Sequence, residues 1–539
     1  MKTSRFVFFS FFIFQIAAGQ TWQDTLSMLD KAMQKYGPES PGCQVSVSRN
    51  GQLMFSKAWG MADLERGIPL TTNSILEAGS VSKQFTAAAI LLLEQQGKLS
   101  LDDDVRKYIP ELPDYGTPIL LRQMLHHTSG LRDWGSVAEM TGWPRTTKFY
   151  TNEDALEIIV RQKHLNNKPG DEFLYSNSNY NLFAIIIQRV SGLTLATFTR
   201  KYIFEPAGLT HTQWRDDPNR IVVNRAIAYN KTDSSFETDM PNEYVYGNGG
   251  LLTTTEDLLK WTNYFLQDRL GNPSLVSKQI QTDPLNNGTM NNYAAGLFIE
   301  KVAGWNSINH SGATAAYRAW LETFPELKLS IAVLSNNSSV NIRETENRIR
   351  KIFVRDKKSA DAKKEDTIKL AEQDLVALSG MYRNERDGST FTLEVKNNQI
   401  LVQSELPMKA LSKNILTCDY FILVVKGQNG LYIPKSPVDT ILITKVKQAL
   451  LTPEEMSSYE GNYFSEETNS ELIIKKNGDK LIIQLNPDRS YPMIPTYADA
   501  FRIAELYIDL KFIRNSGNKL IMMKMSQGRA RGVEFKKLP

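Results

Sequence analysis

The stretch Glu77-Ala78-Gly79-Ser80-Val81-Ser82-Lys83-Gln84-Phe85 constrains this chain more than any other, because it runs straight into Thr86-Ala87-Ala88-Ala89-Ile90-Leu91-Leu92-Leu93-Glu94-Gln95-Gln96-Gly97. The second half is rich in Ala and Leu, has no Pro and stops at a Gly, which predicts an apolar helix ending at Gly97. Ser80 then sits at the helix start, and Lys83 lies one turn on along the same face. A serine hydroxyl is a poor nucleophile until a base takes its proton. A lysine beside so apolar a helix has its ammonium disfavoured by desolvation and can be that base. The helix N-terminus also turns backbone N–H groups toward Ser80. The spacing alone is weak: Ser-x-x-Lys arises by chance about once or twice in a chain of this length, and Ser516-Gly517-Asn518-Lys519 repeats it in a turn. An N-cap is the alternative role for Ser80.

At 539 residues the chain calls for two to four domains. A net charge of +4 without a dense basic block argues against nucleic acid as a partner. Residues 1–19 read as a signal peptide: Lys2 and Arg5 precede the apolar run Phe6 to Ile16, and Ala17-Ala18-Gly19 supplies small residues before Gln20, the expected mature start. That run is too short for a comfortable membrane span, and no later segment is apolar enough for one. The expected location is therefore export, periplasmic or secreted, with no integral segment after cleavage. Two cysteines, Cys43 and Cys418, exclude a disulfide framework and leave either one inter-domain bridge or two separate thiols. No Cys/His cluster has metal-ligand spacing, so no metal or organic cofactor is expected.

Trp22 and its neighbours, Thr21 to Tyr36, predict an amphipathic helix, and Cys43–Arg49 with Leu53–Trp59 predict a hairpin turned by Asn50-Gly51. Met124-Leu125-His126-His127-Thr128-Ser129-Gly130-Leu131 is a helix end entering a polar turn, where two adjacent histidines read as hydrogen-bonding groups of a tight loop rather than as catalysts. Lys168-Pro169-Gly170-Asp171 turns the chain into Tyr175-Ser176-Asn177 and a second apolar helix, Tyr180 to Val190. Gly247-Asn248-Gly249-Gly250 fits neither a Walker loop nor a dinucleotide fingerprint and reads as a close approach of backbone to a substrate or to the core. Ser307–Ala313, Tyr317–Thr323 and Leu329–Leu334 predict sequential strands of one antiparallel sheet, closed by a helix over Asn341 to Phe353.

The predicted domains are 20–353, a charged linker over 354–373, and two β units, 374–450 and 451–539. The last two are an internal repeat: Leu378-Ser379-Gly380-Met381-Tyr382-Arg383-Asn384-Glu385 matches Tyr459-Glu460-Gly461-Asn462-Tyr463-Phe464-Ser465-Glu466, and the register continues without a gap. Each copy is expected to be a curled antiparallel sheet or barrel.

Ser80-x-x-Lys83, Tyr175-x-Asn177 and His310-x-Gly312, in that order, resemble the boxes of the serine β-lactamase and penicillin-binding-protein superfamily. The group includes class C β-lactamases, D-alanyl-D-alanine carboxypeptidases, D-aminopeptidases and related esterases. The resemblance extends to His127-Thr128-Ser129-Gly130-Leu131, Pro169-Gly170-Asp171, Gly249-Gly250-Leu251 and Ser335-Asn336-Asn337. It implies an α+β fold: an α subdomain plus an antiparallel sheet flanked by helices, followed here by two lipocalin-like β repeats. It also implies roles. Ser80 becomes the acylated nucleophile, Lys83 its proton acceptor, and Tyr175, as phenol or phenolate between two cations, the proton carrier for the leaving group and the water. Asn177 would hold Lys83 and the substrate amide, and the N–H groups of Ser80 and Ala313 would form the oxyanion hole. Ser311 and Gly312 would line the strand that binds the acyl side. His310 stands where many relatives carry Lys and would be partly charged near neutral pH; Arg318 could supply the missing cation or be structural. The implied function is an exported serine hydrolase acting on a small peptide or ester, best a D-amino-acid-containing cell-wall peptide. An esterase on small esters or lactones, a β-lactamase, and a non-catalytic binding protein that keeps the fold are the alternatives. In relatives an appended domain can approach the active site, so one repeat is expected to shape the substrate entrance. Oligomeric state is open.

Overall fold

The computed structural model describes residues 22–145, 148–357, 367–418, 421–426, 430–436 and 439–539. The expected signal peptide, 1–19, and the middle of the expected linker lie outside the described residues. Strand alternation builds the first layer. In Leu329–Ser335 every residue is buried, with Leu329, Ile331 and Val333 on one face and Ala332 and Leu334 on the other, the signature of a strand covered on both sides. It lies inside a six-stranded antiparallel sheet ordered Phe298–Val302, Trp305–Thr314, Tyr317–Phe324, Leu329–Ser335, Cys43–Arg49, Gln52–Trp59. The N-terminal hairpin thus completes a sheet whose other strands come some 250 residues later, with Cys43 opposite Ser335.

One face is covered by two terminal helices, Trp22–Met33 and Ile342–Phe353, which place Leu29, Met33 and Ile349 against Val45, Val47, Phe324 and Val333. The other face meets the helix Thr255–Leu266, where Ser46 Oγ and Thr255 Oγ1 are 2.7 Å apart. Beyond it lies the α subdomain, centred on the helix Lys83–Gln95. Every residue of this helix from Lys83 to Leu93 is buried, as a helix without a polar face must be. It packs against the helix Asn177–Ser191, which ends at Gly192 with φ +74°, the expected glycine stop. Cys43 and Cys418 are both free thiols, which decides between the two cysteine readings. Among the described residues no single helix is long and apolar enough to cross a membrane.

The C-terminal half holds two antiparallel β units. The first is a nine-stranded sheet over residues 380–446 whose end strands, Leu406–Pro407 and Lys409–Ser412, are neighbours in sequence, so the strip curls until its ends nearly meet. The second, over residues 461–537, is a closed eight-stranded barrel. The sequence repeat is a repeat of contacts. Helices Glu372–Leu378 and Pro453–Tyr459 precede the two units. Tyr382 donates its hydroxyl to the Leu378 carbonyl and Tyr463 to the Tyr459 carbonyl, both at 2.8 Å. Lys445 lies over the Tyr382 ring and donates to the Ala377 carbonyl, and Lys537 lies over the Tyr463 ring and donates to the Ser458 carbonyl. The shared glycine follows from this: a Cβ at Gly380 would stand 2.5 Å from Cε of Lys445, and one at Gly461 would stand 3.0 Å from Cε of Lys537. The copies differ in what they touch. The nine-stranded sheet keeps a core of its own, whereas the barrel's core is continuous with that of the α subdomain.

Candidate active site

Backbone crossing shapes the site. Gly312, in the strand Trp305–Thr314, runs so close to the turn ahead of the Lys83 helix that a Cβ on it would fall 2.0 Å from the Ala78 carbonyl oxygen. From the other side, Gly79 has φ +49°, and a Cβ there would meet the Ala313 nitrogen at 2.7 Å. Both positions require glycine. Ser80 follows in one tight turn, Gly79–Ser82, before the α-helix begins at Lys83, three residues after the start at Ser80 that the sequence predicts. The Ser80 and Ala313 backbones are brought side by side. The strand Phe298–Val302 pairs only as far as Asn309, leaving the edge from Ser311 onward open on that side.

Lys83 is wholly buried. Its Nζ lies 3.0 Å from Ser80 Oγ, 2.9 Å from Asn177 Oδ1 and 2.6 Å from the Asn248 carbonyl oxygen. Two of these partners can only accept, so a neutral amine donates to both and turns its lone pair to the Ser80 hydroxyl. Burial drives the lysine well below its usual range, the cations Arg529 and Arg145 push the same way, and Asp133 opposes them. Asn177 is held from behind: its backbone N–H donates to Asp133 Oδ2 at 2.6 Å. The other oxygen of Asp133 accepts the Ser136 N–H and caps the helix Trp134–Met140.

Tyr175 packs against the buried Lys83 amine and one guanidinium. Lys83 Nζ is 4.8 Å from the ring centroid and the Arg529 guanidinium 4.6 Å from it. Burial still dominates and raises the hydroxyl, although Ser80 and Arg529 pull it down, so the group is a phenol, not a phenolate. The His127 ring packs 4.1 Å from the Tyr175 ring. His127 Nδ1 accepts from the Ser176 N–H and the Asn179 amide, both at 3.2 Å. Burial and Lys83 hold it neutral. It therefore hydrogen-bonds its loop, as read, and also supports the tyrosine ring.

His310 and Arg318 differ from expectation. His310 is buried, donates Nδ1–H to the Ser311 carbonyl at 2.6 Å and accepts the Tyr293 hydroxyl at Nε2, 3.0 Å away. Burial, with Lys83 nearby, pushes it down to about 3, so the imidazole is neutral rather than partly charged. Arg318 donates Nη1 to the carbonyls of Ala315 and Tyr317, which tie down the turn after Ala313; it bonds to no other site residue. The cation facing Tyr175 is instead Arg529, at the tip of the barrel hairpin Leu520–Gln527/Ala530–Lys537.

Ser80, Lys83, Tyr175, Asn177, Gly312 and Ala313 are thus brought together, with His310 and Ser311 on the adjoining strand. Asp133, Asn248, Tyr293 and Arg529 were not foreseen as site residues. The glycine-rich run around Asn248 signalled a close backbone approach. A lone Asp before a tryptophan and a lone Arg in a hairpin carry no local signal at all.

A family profile described as Beta-lactamase matches residues 29–354. The chain is 30% identical over 318 residues to penicillin-binding protein 4* of Bacillus subtilis, a match covering 54% of this chain and 67% of that one. It is 29% identical over 320 residues to a D-aminopeptidase of Cereibacter sphaeroides, covering 58% and 60% respectively. The chain thus spans about two thirds or less of the length of these relatives. Among solved structures, the octameric penicillin-binding protein homologue from Pyrococcus abyssi shares the fold, with a TM-score of 0.54 at 22% identity over 86% of this chain and 98% of that one.

Proposed function

Because the chain belongs to the Beta-lactamase family of serine hydrolases, we propose that it cleaves an amide in a D-amino-acid-containing peptide through an acyl-Ser80 intermediate. The observation that carries the reading is the hydrogen-bond set of Lys83, a buried amine with two obligate acceptors and one nucleophile. Lys83 takes the Ser80 proton as Oγ attacks the carbonyl carbon. The oxyanion forms between the N–H groups of Ser80 and Ala313. The Tyr175 phenol protonates the leaving nitrogen as the C–N bond breaks, and Lys83 returns a proton to Tyr175. Water then attacks the ester, its proton passing to the same pair, and Ser80 is released with the acid. His310, neutral and bonded on both nitrogens, positions Tyr293 and the Ser311 carbonyl and moves no proton. The D-aminopeptidase and penicillin-binding-protein relatives support the peptide substrate, and the leader-like residues 1–19 support export to where cell-wall peptide lies.

The test is the intact mass of the protein after incubation with a penicillin, with Ser80→Ala as control, alongside turnover of a D-alanyl peptide. An adduct on the wild type alone, with peptide turnover lost in the variant, is the expected result. Turnover by Ser80→Ala at the wild-type rate would remove the assignment.

A further inference from the structure

Arginines crowd the junction between the barrel and the α subdomain, and three of them are paired. Arg132 meets Glu467 at 2.5 Å and Arg531 meets Glu172 at 2.9 Å, while Arg145 is paired with Glu243. Arg529 has no ion pair among the described residues and is exposed, yet its guanidinium is stacked on the Tyr175 ring. Its backbone is not loose. The Arg529 carbonyl accepts the Asp133 N–H at 3.1 Å and the Asn166 side-chain amide at 2.8 Å, and the Arg531 N–H donates to Asn166 Oδ1 at 2.8 Å. Asp133 thus ties the hairpin tip to the helix that carries Asn177.

The carboxylates around Ser80 are, by contrast, all engaged. Asp133 receives two backbone N–H groups, Glu77 receives Arg215, and Glu243 receives Arg145. Nothing among these is left to hold a substrate ammonium, while one fixed guanidinium is left for an anion.

Resting on the acyl-serine reading above, we infer that Arg529, delivered by the second β repeat, is the anion-binding residue of this site and selects peptides whose leaving residue carries a free carboxylate. The geometry follows the chemistry. In the proposed reaction the Tyr175 hydroxyl serves the leaving nitrogen, and the guanidinium stacked on the same ring offers the leaving residue a planar fork that matches a carboxylate. The selection falls on peptides cleaved from the carboxyl end and not on free aminoacyl amides.

Binding measured by calorimetry on the full-length Ser80→Ala protein tests this without turnover. The probes are N-acetyl-D-alanyl-D-alanine and the same dipeptide as its C-terminal amide. The carboxylate form is expected to bind on the order of ten- to a hundredfold more tightly. Arg529→Ala is expected to erase the difference, and Arg529→Lys to keep part of it. Equal affinities for the two peptides, no binding of either, or an equal loss on both in Arg529→Ala would each overturn the inference; the last would make Arg529 a prop of the hairpin. Hydrolysis of an activated ester by wild type but not by Ser80→Ala checks the acyl-serine reading separately, so the two can fail independently.

Discussion

Lys83 can act as a base only while it is neutral, and three things hold it so: burial, Arg529 and Arg145. The acid limb of kcat/KM against pH therefore reports its deprotonation. Arg529→Ala removes a neighbouring cation, stabilises the ammonium and moves that limb to higher pH; Asp133→Asn moves it to lower pH. A limb that stays put in both variants would place the base elsewhere. Lys83→Ala is expected to lower kcat/KM by a factor on the order of 1,000 or more, read with an activated ester. His310, pushed down to about 3, contributes no limb near neutrality. It does contribute to stability. His126, His127 and His310 are all lowered in the folded chain, so below the unfolded value of about 6.5 the unfolded chain binds protons that the folded chain refuses. Their stabilisation is complete above that pH and is lost as pH falls below it, for His310 down to about 3, at roughly 1.4 kcal/mol per pH unit for each histidine within its window. Urea midpoints should drop between pH 7 and pH 5.5, and a flat profile would contradict the buried neutral imidazoles.

The proposed oxyanion site depends on two elements crossing at Gly79 and Gly312, and the two glycines differ in what a methyl group would meet. At Gly312 a Cβ is driven into the Ala78 carbonyl at 2.0 Å, a contact that only separation of strand and helix can relieve. At Gly79 the 2.7 Å approach to the Ala313 nitrogen is added to a positive φ. Gly312→Ala is expected to lose activity by about a hundredfold or more and destabilise by about 1–3 kcal/mol, and Gly79→Ala to fall short of it on both counts. Steady-state rates and thermal midpoints on the same preparations check the order, and a Gly312→Ala enzyme at full rate would mean that the crossing is not the oxyanion site. Much at this scale was legible in the chain. The apolar Lys83 helix, the Asn50-Gly51 hairpin, the sequential strands and the register of the repeat all follow from local period and turn chemistry, and all are present. What local pattern does not carry is pairing at a distance. That Cys43 lies opposite Ser335, or that one repeat closes into a barrel while its copy stays an open strip, depends on partners that sequence spacing does not name. The same holds for His310. A histidine in a lysine's box suggests a half-charged group, and only Tyr293, Ser311 and the burial around them show it to be neutral.

For the molecule as a whole, the question is why a barrel formed by the second β repeat should share a core with the α subdomain. Its docking rests on a buried ion pair, Arg132 with Glu467, whose side chains are 2% and 3% exposed and whose residues are 335 apart in sequence. Glu467 is the hub. It also accepts the backbone N–H groups of Lys163 and Glu534, and its carbonyl accepts the Gln162 side chain. Gln527 to Glu139 and Asn486 to the Gly142 carbonyl extend the seam. A pair so buried adds little net stability over apolar residues of the same size, but removing one partner strands the other charge. Glu467→Ala is therefore expected to cost about 3–5 kcal/mol, and Arg132→Met/Glu467→Met together to recover much of it. The consequence for function separates docking from folding. If the barrel serves only to stabilise the fold, the double variant should return to wild-type rates and wild-type preference for a carboxylate-ended peptide as soon as it is folded. If the barrel's position is what sets Arg529 over Tyr175, a variant that is stable but has a shifted hairpin should hydrolyse an activated ester well and discriminate poorly between carboxylate and amide. Urea unfolding and the two rate ratios, measured on one set of variants, decide between these. The second outcome is the one that Asp133 favours, because the same residue bonds the hairpin carbonyl at its N–H and the Asn177 N–H at its carboxylate. A displacement of the barrel thereby reaches the residue that orients Lys83.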